Sequence, residues 1–473
     1  MKRFFFIVLL IVFLQSNIFS QNDFIRLSPD VTAEMLNADF WISRFEEAEK
    51  VRLQPEEIFE LNEKAMQTQR NDKKSILFNL KKFSPVSKSD FFKQVFFEPS
   101  EIKWFRKNAL EESIFCSEEF WCAFYDEIGL NELKDSEEFL EPKKAVCTKR
   151  TDMRIVPSNE VFSANGTDWY DDANQESSLL FNDPVIMLYR SKNEEWSFVY
   201  SEYDYGWVRS DSIALCSDTD FEKRLDFFDA DASFITVTES LYIVHSDDMT
   251  APEDGESVYR ELRLGERFLC ADWNTVQDYY SQERFPFCSY AVEIPFRKEN
   301  GTLGTVYASV PVSAACTGFL PYTSKNVLTL LFKCLGEGYG WGGKNGLRDC
   351  SSFVMECYRC VGIQLPRNSS EQALFPAKKI SLNSDFSIEY RKRIISSAVP
   401  GALLKIPSHI MVYLGEYEGK QYVIHSTYGY YETCEDIYAG RIMKINSVNI
   451  NSLDVLRGNG RSLLESVSAV LFD

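Results

Sequence analysis

The spacing of apolar residues changes twice along this chain, and each change constrains the fold of the segment that follows. From Phe24 to about Lys144 the apolar residues recur at helical spacing, as in the segment 30–51. From Ala145 they alternate with polar residues, which is typical of short strands separated by turns. From Pro321 helical and strand patterns follow one another. Three such patterns predict a multidomain protein.

These changes of pattern give the domain boundaries. Residues 21–144 predict a helical N-terminal domain, and residues 145–217 and 218–320 predict two small β-barrels in tandem. Residues 321–473 predict an α+β domain in which helices precede the sheet. Within it the pattern predicts two helices and then three strands: 323–336, 350–363, 402–407, 408–419 and 421–429.

The first twenty residues predict export. Lys2 and Arg3 precede the apolar run 4–14, and a small residue, Ser20, ends the segment. This is the pattern of a secretory signal peptide over residues 1–20, and the run is too short to span a bilayer. We therefore expect a periplasmic or secreted protein with no membrane attachment after cleavage.

Charge and cysteine content exclude other classes. The formal net charge is −20, from 51 basic and 71 acidic residues, which argues against a nucleic-acid partner. The twelve cysteines are scattered irregularly, so we expect most to be buried free thiols, and disulfide pairing cannot be read from the sequence. The close pairs Cys116/Cys122 and Cys357/Cys360 lack the second pair that a zinc site needs.

The stretch "YGWGGKNGLRDCSSF", residues 339–353, places Cys350 after a glycine-rich loop and at the start of a predicted helix. A free thiol has a pKa of about 8.5 and is mostly protonated at neutral pH. Unpaired N–H groups and the helix dipole favour the thiolate at a helix N-terminus. The position therefore predicts that Cys350 is a nucleophile.

The chain has only three histidines, and two of them, His409 and His425, follow Cys350 on predicted strands. If those strands are adjacent, both imidazoles lie on one side of the sheet. We then expect His409 to act as base and acid and His425 to orient it. The alternative stays open at this point: an inert buried cysteine, two core histidines, and Asp349 as a helix cap.

Four motifs together resemble the NlpC family of papain-like bacterial cell-wall peptidases. They are "LGEGYGWGGKNGLRDCSSF", "GIQLPRNSSEQA", "VPGALLKIPSHIMVYLG" and "YVIHST", in the family's order and spacing. Segments upstream resemble the helical N-terminal domain of multidomain members, their first bacterial SH3-like barrel and the exit from their second. The resemblance implies a papain-like cysteine peptidase fold for residues 321–473 and SH3-like folds for both barrels.

The resemblance also implies an activity, hydrolysis of the bond between γ-D-glutamate and a diamino acid in peptidoglycan stem peptides. It implies these catalytic positions: Cys350, His409, His425 and, for the oxyanion, Tyr339. It implies these substrate-binding positions: Trp341, Asp349 and Ser351. In members with this domain order the first barrel closes the cleft, so that Asp349 would pair with the free ammonium of an N-terminal L-Ala.

A tyrosine and an acid of the first barrel are expected to complete that pocket. Tyr170, Asp171 and Asp172 are candidates, and ordinary turn residues are the other interpretation. The sequence departs from the family at three positions near the site: Ser352 replaces a glycine beside the thiol, Ala402 replaces an acid, and Ser408 precedes His409. We expect Ser352 to affect substrate preference rather than the reaction.

Two other functions remain as alternatives. One is a non-catalytic peptidoglycan-binding protein that uses its SH3-like domains, and the other is a papain-like amidase or acyltransferase. No metal site and no cofactor are expected, because His409 and His425 have no third ligand at suitable spacing. The third residue of the stem peptide and the oligomeric state cannot be read from the sequence.

Overall fold

The computed structural model describes residues 25–96, 118–161, 172–245, 259–276 and 287–472. The predicted signal peptide, residues 1–20, lies outside these residues and stays a prediction. None of the helices in the described parts of the chain is long and apolar enough to cross a bilayer.

The N-terminal segment is built from short helices. Those described are α1 (Ala38–Ile42), α2 (Pro55–Gln67), α3 (Lys88–Val95) and α4 (Glu118–Glu127), with a short strand pair, β1 (Val86–Ser87) and β2 (Phe139–Leu140). The helical pattern over 30–51 yields only α1 and a preceding 3₁₀ turn. The reason is Asn37, whose side chain accepts a hydrogen bond from the Asp39 N–H and starts a new helix there.

The next segment, which we name the first β domain, forms one seven-stranded antiparallel sheet. Its strands are β3 (Lys143–Cys147), β4 (Thr151–Arg154), β5 (Gln175–Leu179), β6 (Pro184–Arg190), β7 (Trp196–Tyr200), β8 (Tyr205–Arg209) and β9 (Ile213–Leu215). They pair in the order β5-β4-β8-β7-β6-β3-β9. The N-terminal helices cover one side, where the ring of Phe91 lies 5.1 Å from that of Phe198.

The second β domain is divided into smaller sheets. After helix α5 (Asp218–Lys223), its elements are β10 (Phe234–Val237), β11 (Leu241–Val244), β12 (Arg260–Arg263), β13 (Arg267–Leu269), α6 (Trp273–Val276), β14 (Ser289–Arg297), β15 (Leu303–Pro311) and β16 (Ala315–Thr317). Among the described residues they pair as β13-β10-β16, β11-β12 and β14-β15. The hairpin β14–β15 turns at "KENG", residues 298–301. Phe181 of the first β domain packs against Phe268, with ring centroids 5.2 Å apart.

The C-terminal domain begins with helices, as the pattern predicts, but a short strand precedes its fourth α-helix and two short helices lie between the later strands. Its elements are α7 (Ser324–Lys333), α8 (Cys350–Arg359), α9 (Ser369–Gln372), β17 (Lys379–Ser381), α10 (Ile388–Ser397), β18 (Leu403–Ile406), β19 (His409–Tyr417), β20 (Lys420–Tyr430), α11 (Cys434–Tyr438), β21 (Met443–Ser452), α12 (Leu463–Ser466) and β22 (Ala469–Leu471). The strands form one antiparallel sheet, β17-β22-β18-β19-β20-β21, on which α8 packs through buried apolar residues.

Buried ion pairs join helix α8 to the domains before it. Glu356, in the middle of α8, accepts hydrogen bonds from Arg150 of the first β domain at 2.8 Å and from Arg348 at 2.6 Å. Arg359, at the end of α8, bonds Asp183 at 2.7 Å. Charges this deeply buried need such partners, so these contacts fix the helix relative to the first β domain.

The cysteines are free thiols throughout the described residues. Four of the eleven are buried: Cys147, Cys334, Cys357 and Cys360. The expectation that most would be buried is therefore wrong, since the others are half-buried or exposed.

Candidate active site

The glycine-rich loop lies directly against the first β domain. Gly342 and Gly343 have φ angles of 60° and 77°, a region that side chains with a Cβ rarely adopt. A Cβ on Gly343 would lie 2.2 Å from Ser178 Oγ, and one on Gly342 would lie 2.6 Å from Gln175 Cγ. The glycines therefore let the loop backbone approach strand β5 closely.

Asp349 caps helix α8, and Cys350 is the first residue of that helix. The Asp349 Oδ1 atom accepts hydrogen bonds from the N–H groups of Ser351 at 3.0 Å and Ser352 at 2.9 Å. Ser352 Oγ accepts one from the Asp349 N–H at 3.0 Å, which completes a capping box. The Ser352 side chain is thus buried in the helix cap, and its effect on substrate preference stays a prediction.

Three polar side chains on neighbouring strands form a hydrogen-bonded row. His409 Nε2, on β19, lies 2.7 Å from His425 Nδ1, on β20. His425 Nε2 lies 2.8 Å from Asn451 Oδ1, on β21. His425 and Asn451 are buried and His409 is half-buried. The expected placement of both imidazoles on one side of the sheet is confirmed, and Asn451 is an addition that the sequence analysis missed.

Burial controls the protonation of this site. It raises the pKa of the Cys350 thiol to about 11, and the Asp349 carboxylate contributes to the rise, against a hydrogen bond from the Ile410 backbone. Burial lowers the pKa of His409 well below 6.5, and the neighbouring His425 contributes. Burial also lowers the pKa of His425 to about 4. At neutral pH the site therefore holds a protonated thiol and neutral imidazoles. Desolvation raises the pKa of the thiol more than the helix N-terminus lowers it, so the expected thiolate is not favoured.

Arg367 engages Asp349, the residue expected to pair with a substrate ammonium. Arg367 Nη1 bonds Asp349 Oδ1 at 3.1 Å and Ser351 Oγ at 3.0 Å, while Nη2 bonds Asp349 Oδ2 at 2.5 Å. Arg367 Nε bonds Ser177 of the first β domain at 2.9 Å. The charge of Arg367 helps to hold the pKa of Asp349 below its usual range despite burial. Asp349 is therefore an anion that already has a cationic partner.

Further carboxylates surround this ion pair. Burial raises the pKa of Glu176 on β5, and the charges of Arg367, Glu371 and Arg70 also act on this carboxyl group. Burial also raises the pKa of Asp204 well above 3.8, with Glu176 contributing. The Oδ2 atom of Asp204 is buried and has no hydrogen-bond partner among the described residues. Arg70 is paired with Glu371. The surroundings of Arg367 thus hold more carboxylates than guanidinium groups.

The other residues predicted for the site, Trp341, Tyr339 and Ser351, differ in how far they are exposed. The side chain of Trp341 is 49% exposed on the glycine-rich loop. Tyr339 is half-buried, and its backbone N–H donates to the Asn446 carbonyl at 2.8 Å, which ties the loop to β21. Ser351 is buried and its hydroxyl donates to Asp349 at 3.1 Å.

Of the three first-barrel candidates, only Asp172 belongs to the described residues. Tyr170 and Asp171 lie outside the described residues. Asp172 is buried and bonds Arg154 of β4 at 2.8 Å and Lys344 of the glycine-rich loop at 2.5 Å. Asp172 therefore connects the loop to the first β domain. In the part of the chain that the structure describes, no three His, Cys, Asp or Glu side chains are grouped as a metal site would require.

Arg367 could have been identified from the sequence, because it lies in the motif "GIQLPRNSSEQA" that carries the family resemblance. Glu176, Asp204 and Asn451 could not have been found in this way, since nothing local distinguishes them from other polar residues on strands or, for Asp204, in turns. Their part in the site depends on how distant segments pack.

Comparisons with known proteins agree with this architecture. Residues 336–446 match the NlpC/P60 family, and residues 160–209 match an SH3 domain of the SH3b1 type. No curated protein matches the chain.

Two solved structures are similar to this chain. A structure described as a novel NlpC/P60 endopeptidase from Photobacterium damselae subsp. piscicida is 17% identical, with a TM-score of 0.68 over 94% of this chain and 98% of that one. An NlpC/P60 family protein from Bacillus cereus ATCC 10987 is 16% identical, with a TM-score of 0.45 over 69% of this chain and 98% of that one. The likeness to the Photobacterium structure is a likeness of fold. The Cys350 helix start and the histidine-bearing strands lie within the matched segment 336–446, so this part of the chain is similar to NlpC/P60 family domains, and a segment similar to SH3 domains of the SH3b1 type precedes it.

Proposed function

We propose that this protein is an exported cysteine peptidase that hydrolyses the γ-D-Glu–diamino acid bond of peptidoglycan stem peptides with a free N-terminal L-Ala. The observation that carries the proposal is the hydrogen-bonded row His409–His425–Asn451, together with a cysteine at a helix start whose thiol accepts a hydrogen bond from the Ile410 backbone, the residue after His409. Cys350, His409 and His425 lie in the segment that matches the NlpC/P60 family. A role in murein turnover or recycling follows from such a substrate.

The first step is attack by the Cys350 sulfur on the carbonyl carbon of the γ-glutamyl amide. In the free enzyme the thiol is protonated, since its pKa is raised to about 11. The proton passes to His409 as the sulfur–carbon bond forms, and His425 holds the ring of His409 in place through the 2.7 Å hydrogen bond. The chemistry is then general-base catalysis by a neutral imidazole rather than attack by a preformed thiolate.

The developing oxyanion requires a donor, and the family resemblance gives this role to the phenol of Tyr339. The C–N bond breaks as His409 returns the proton to the amino group of the departing diamino acid. Water, activated by the same histidine, then hydrolyses the thioester and releases L-Ala-γ-D-Glu. The complete cycle returns Cys350 to the free thiol and His409 to the neutral imidazole.

The carboxylates near Arg367 support a substrate with a free amino group. Burial raises the pKa of Glu176 and of Asp204. Such shifts are expected where carboxylates lack enough cationic partners. The ammonium of an N-terminal L-Ala supplies one, whereas a muramyl-linked or acetylated peptide brings no charge. We therefore extend the ammonium site from Asp349 to the set of Asp349, Glu176 and Asp204. Ser351 and Trp341 remain proposed contacts for the rest of the peptide.

The test is mass spectrometry of the purified protein incubated with L-Ala-γ-D-Glu-L-Lys, its diaminopimelate counterpart and the N-acetylated form of each. We expect L-Ala-γ-D-Glu from the free-amine peptides only, and none from the Cys350→Ala variant. Equal cleavage of acetylated peptides would contradict the ammonium site but not the peptidase.

Absence of cleavage of every peptide, with the thiol of Cys350 intact by mass, would contradict the peptidase. Retention of the protein on insoluble peptidoglycan would then favour a non-catalytic wall-binding protein. Transfer of the acyl group to an added amine without hydrolysis would favour an acyltransferase.

A further inference from the structure

The row of histidines continues beyond Asn451 to the N-terminal segment. Asn449 Nδ2 donates to Asn451 Oδ1 at 3.3 Å and to Ser28 Oγ at 2.5 Å. Ser28 belongs to the first described residues of the chain and is buried against the C-terminal sheet. Five side chains from three strands and the N-terminal segment thus form one continuous hydrogen-bonded chain, which ends at His409.

With the Asn451 amide oxygen facing His425, the order of donors in this row follows from chemistry. An amide oxygen only accepts hydrogen bonds, so His425 Nε2 must carry the proton that it shares with Asn451 Oδ1. A neutral His425 then has its lone pair at Nδ1, and His409 Nε2 must donate to it. A neutral His409 is left with its lone pair at Nδ1, the nitrogen available to take a proton from Cys350.

The reverse orientation of the Asn451 amide would give the tautomer of His409 that cannot act as a base. Its NH₂ group would then donate to His425 Nε2, His425 Nδ1 would carry a proton, and His409 Nδ1 would be protonated and useless as a base. The donor from Asn449 favours the productive orientation because it needs the Asn451 oxygen on its side. Asn451 is fully buried, and its Nδ2 has no hydrogen-bond partner among the described residues, so the contacts of its oxygen with His425 and Asn449 set the orientation of the amide.

We propose that Asn451 is a positioning residue that fixes the tautomers of His425 and His409, with Asn449 and Ser28 holding its amide in the productive orientation. The proposal rests on the proposed function of His409 as a base, but its first test is independent of activity.

That test is ¹⁵N NMR of the imidazoles in protein labelled at histidine. Only His245, His409 and His425 contribute, and His245 is exposed, which simplifies assignment. At neutral pH we expect both His409 and His425 as Nε2–H tautomers. An Nδ1–H tautomer for either residue would overturn the proposal, whether or not the protein cleaves any peptide.

The second test uses kinetics with two substitutions. Asn451→Leu removes the acceptor, and we expect kcat/KM to fall by about 100-fold, less than the roughly 10⁴-fold cost of a wrong tautomer in a serine protease triad. Asn451→Asp keeps the acceptor and adds a negative charge, which raises the pKa of His425 and of His409. The acid limb of its pH–rate profile is therefore expected to move to higher pH by about 1 unit or more.

Ser452→Ala is the matched control. Ser452 follows Asn451 on β21, points to the opposite face, and has a buried hydroxyl without a partner among the described residues. It is expected to keep the wild-type profile and tautomers. If the acid limb of Asn451→Asp stays in place, or if Asn451→Leu keeps both tautomers and full activity, Asn451 has only a structural role.

Discussion

Arg367 and Asp349 form a bidentate ion pair next to the Cys350 thiol, with nitrogen–oxygen distances of 3.1 and 2.5 Å. Asp349 therefore has three tasks: it caps helix α8, it neutralises a buried guanidinium, and, in the proposed function, it attracts a substrate ammonium. These tasks can be separated by substitution because they use different properties of the carboxylate.

Asp349→Asn tests the electrostatic task. An asparagine Oδ1 can still accept the N–H groups of Ser351 and Ser352, so the cap is retained. The negative charge is lost, and the Arg367 charge then repels an ammonium. We expect the preference for free-amine over acetylated peptide, as a ratio of kcat/KM values, to fall by about 10- to 100-fold, the equivalent of one charge-assisted hydrogen bond. Asp385→Asn, at an exposed acid of the same domain, is the control. An unchanged ratio would rule out a charge contact with the substrate.

Alkylation of Cys350 should depend steeply on pH. With a thiol pKa raised to about 11 and a neutral His409, little thiolate is present at pH 7. Below the pKa the thiolate fraction rises about tenfold per pH unit. We expect the rate of iodoacetamide labelling, followed by mass spectrometry of the Cys350 peptide, to rise in this way from pH 7 to about pH 10. A rate that is already maximal at neutral pH would indicate a thiolate–imidazolium pair instead.

Glu356→Gln tests the ion pairs that join α8 to the first β domain. Arg150 and Arg348 lower the pKa of Glu356 to about 2 against the effect of burial. A lowered carboxyl pKa contributes stability that is present above the unfolded value of 4.5 and is lost as the pH falls through 2. For a pKa lowered from 4.5 to about 2, the contribution to the free energy of unfolding is about 3 kcal/mol.

We therefore expect Glu356→Gln to lower the free energy of unfolding at pH 7 by about 3–5 kcal/mol, because buried guanidinium groups lose their partner. Urea unfolding followed by tryptophan fluorescence measures the change. Glu49→Gln breaks an exposed pair with Lys325 and is expected to leave the free energy of unfolding nearly unchanged, because solvent screens such pairs. Equal effects of the two substitutions would contradict the structural role of Glu356.

Gly343→Ala tests the contact between the glycine-rich loop and the first β domain. The new Cβ would clash with Ser178 at 2.2 Å, so we expect the loop to shift and kcat/KM to fall by at least about tenfold, as small misplacements near a reacting centre do. Gly336→Ala is the matched control, since Gly336 has a similar φ of 85° with open space around it. It carries the backbone strain without the clash. Identical kinetics for the two variants would show that the contact does not position the loop.

Local patterns were sufficient to predict much of the C-terminal domain. Alternation placed His409 and His425 on strands, and adjacency of β19 and β20 brought their rings together. Asp349 and Cys350 begin α8 where the sequence has a helix start. These predictions depend on short-range rules that hold wherever the element packs.

What could not be predicted depends on tertiary burial. The thiol of Cys350 lies at a helix N-terminus, yet its pKa is raised, because desolvation and the Asp349 charge act more strongly than the helix. The N-terminal pattern predicted a longer helix than α1, since Asn37 offers the backbone a competing cap. Asn451 lies 42 residues beyond His409 in the chain, and only the order of strands in the sheet reveals its contact with His425.

The central claim is that Cys350 forms a covalent acyl intermediate, and intact-protein mass spectrometry after rapid acid quenching tests it most directly. Incubated with L-Ala-γ-D-Glu-L-Lys, the protein is expected to gain the mass of one L-Ala-γ-D-Glu acyl group, located on the Cys350 peptide and absent from Cys350→Ala. Cleavage of the peptide by the Cys350→Ala variant at the wild-type rate, or an adduct on any other residue, would contradict the account.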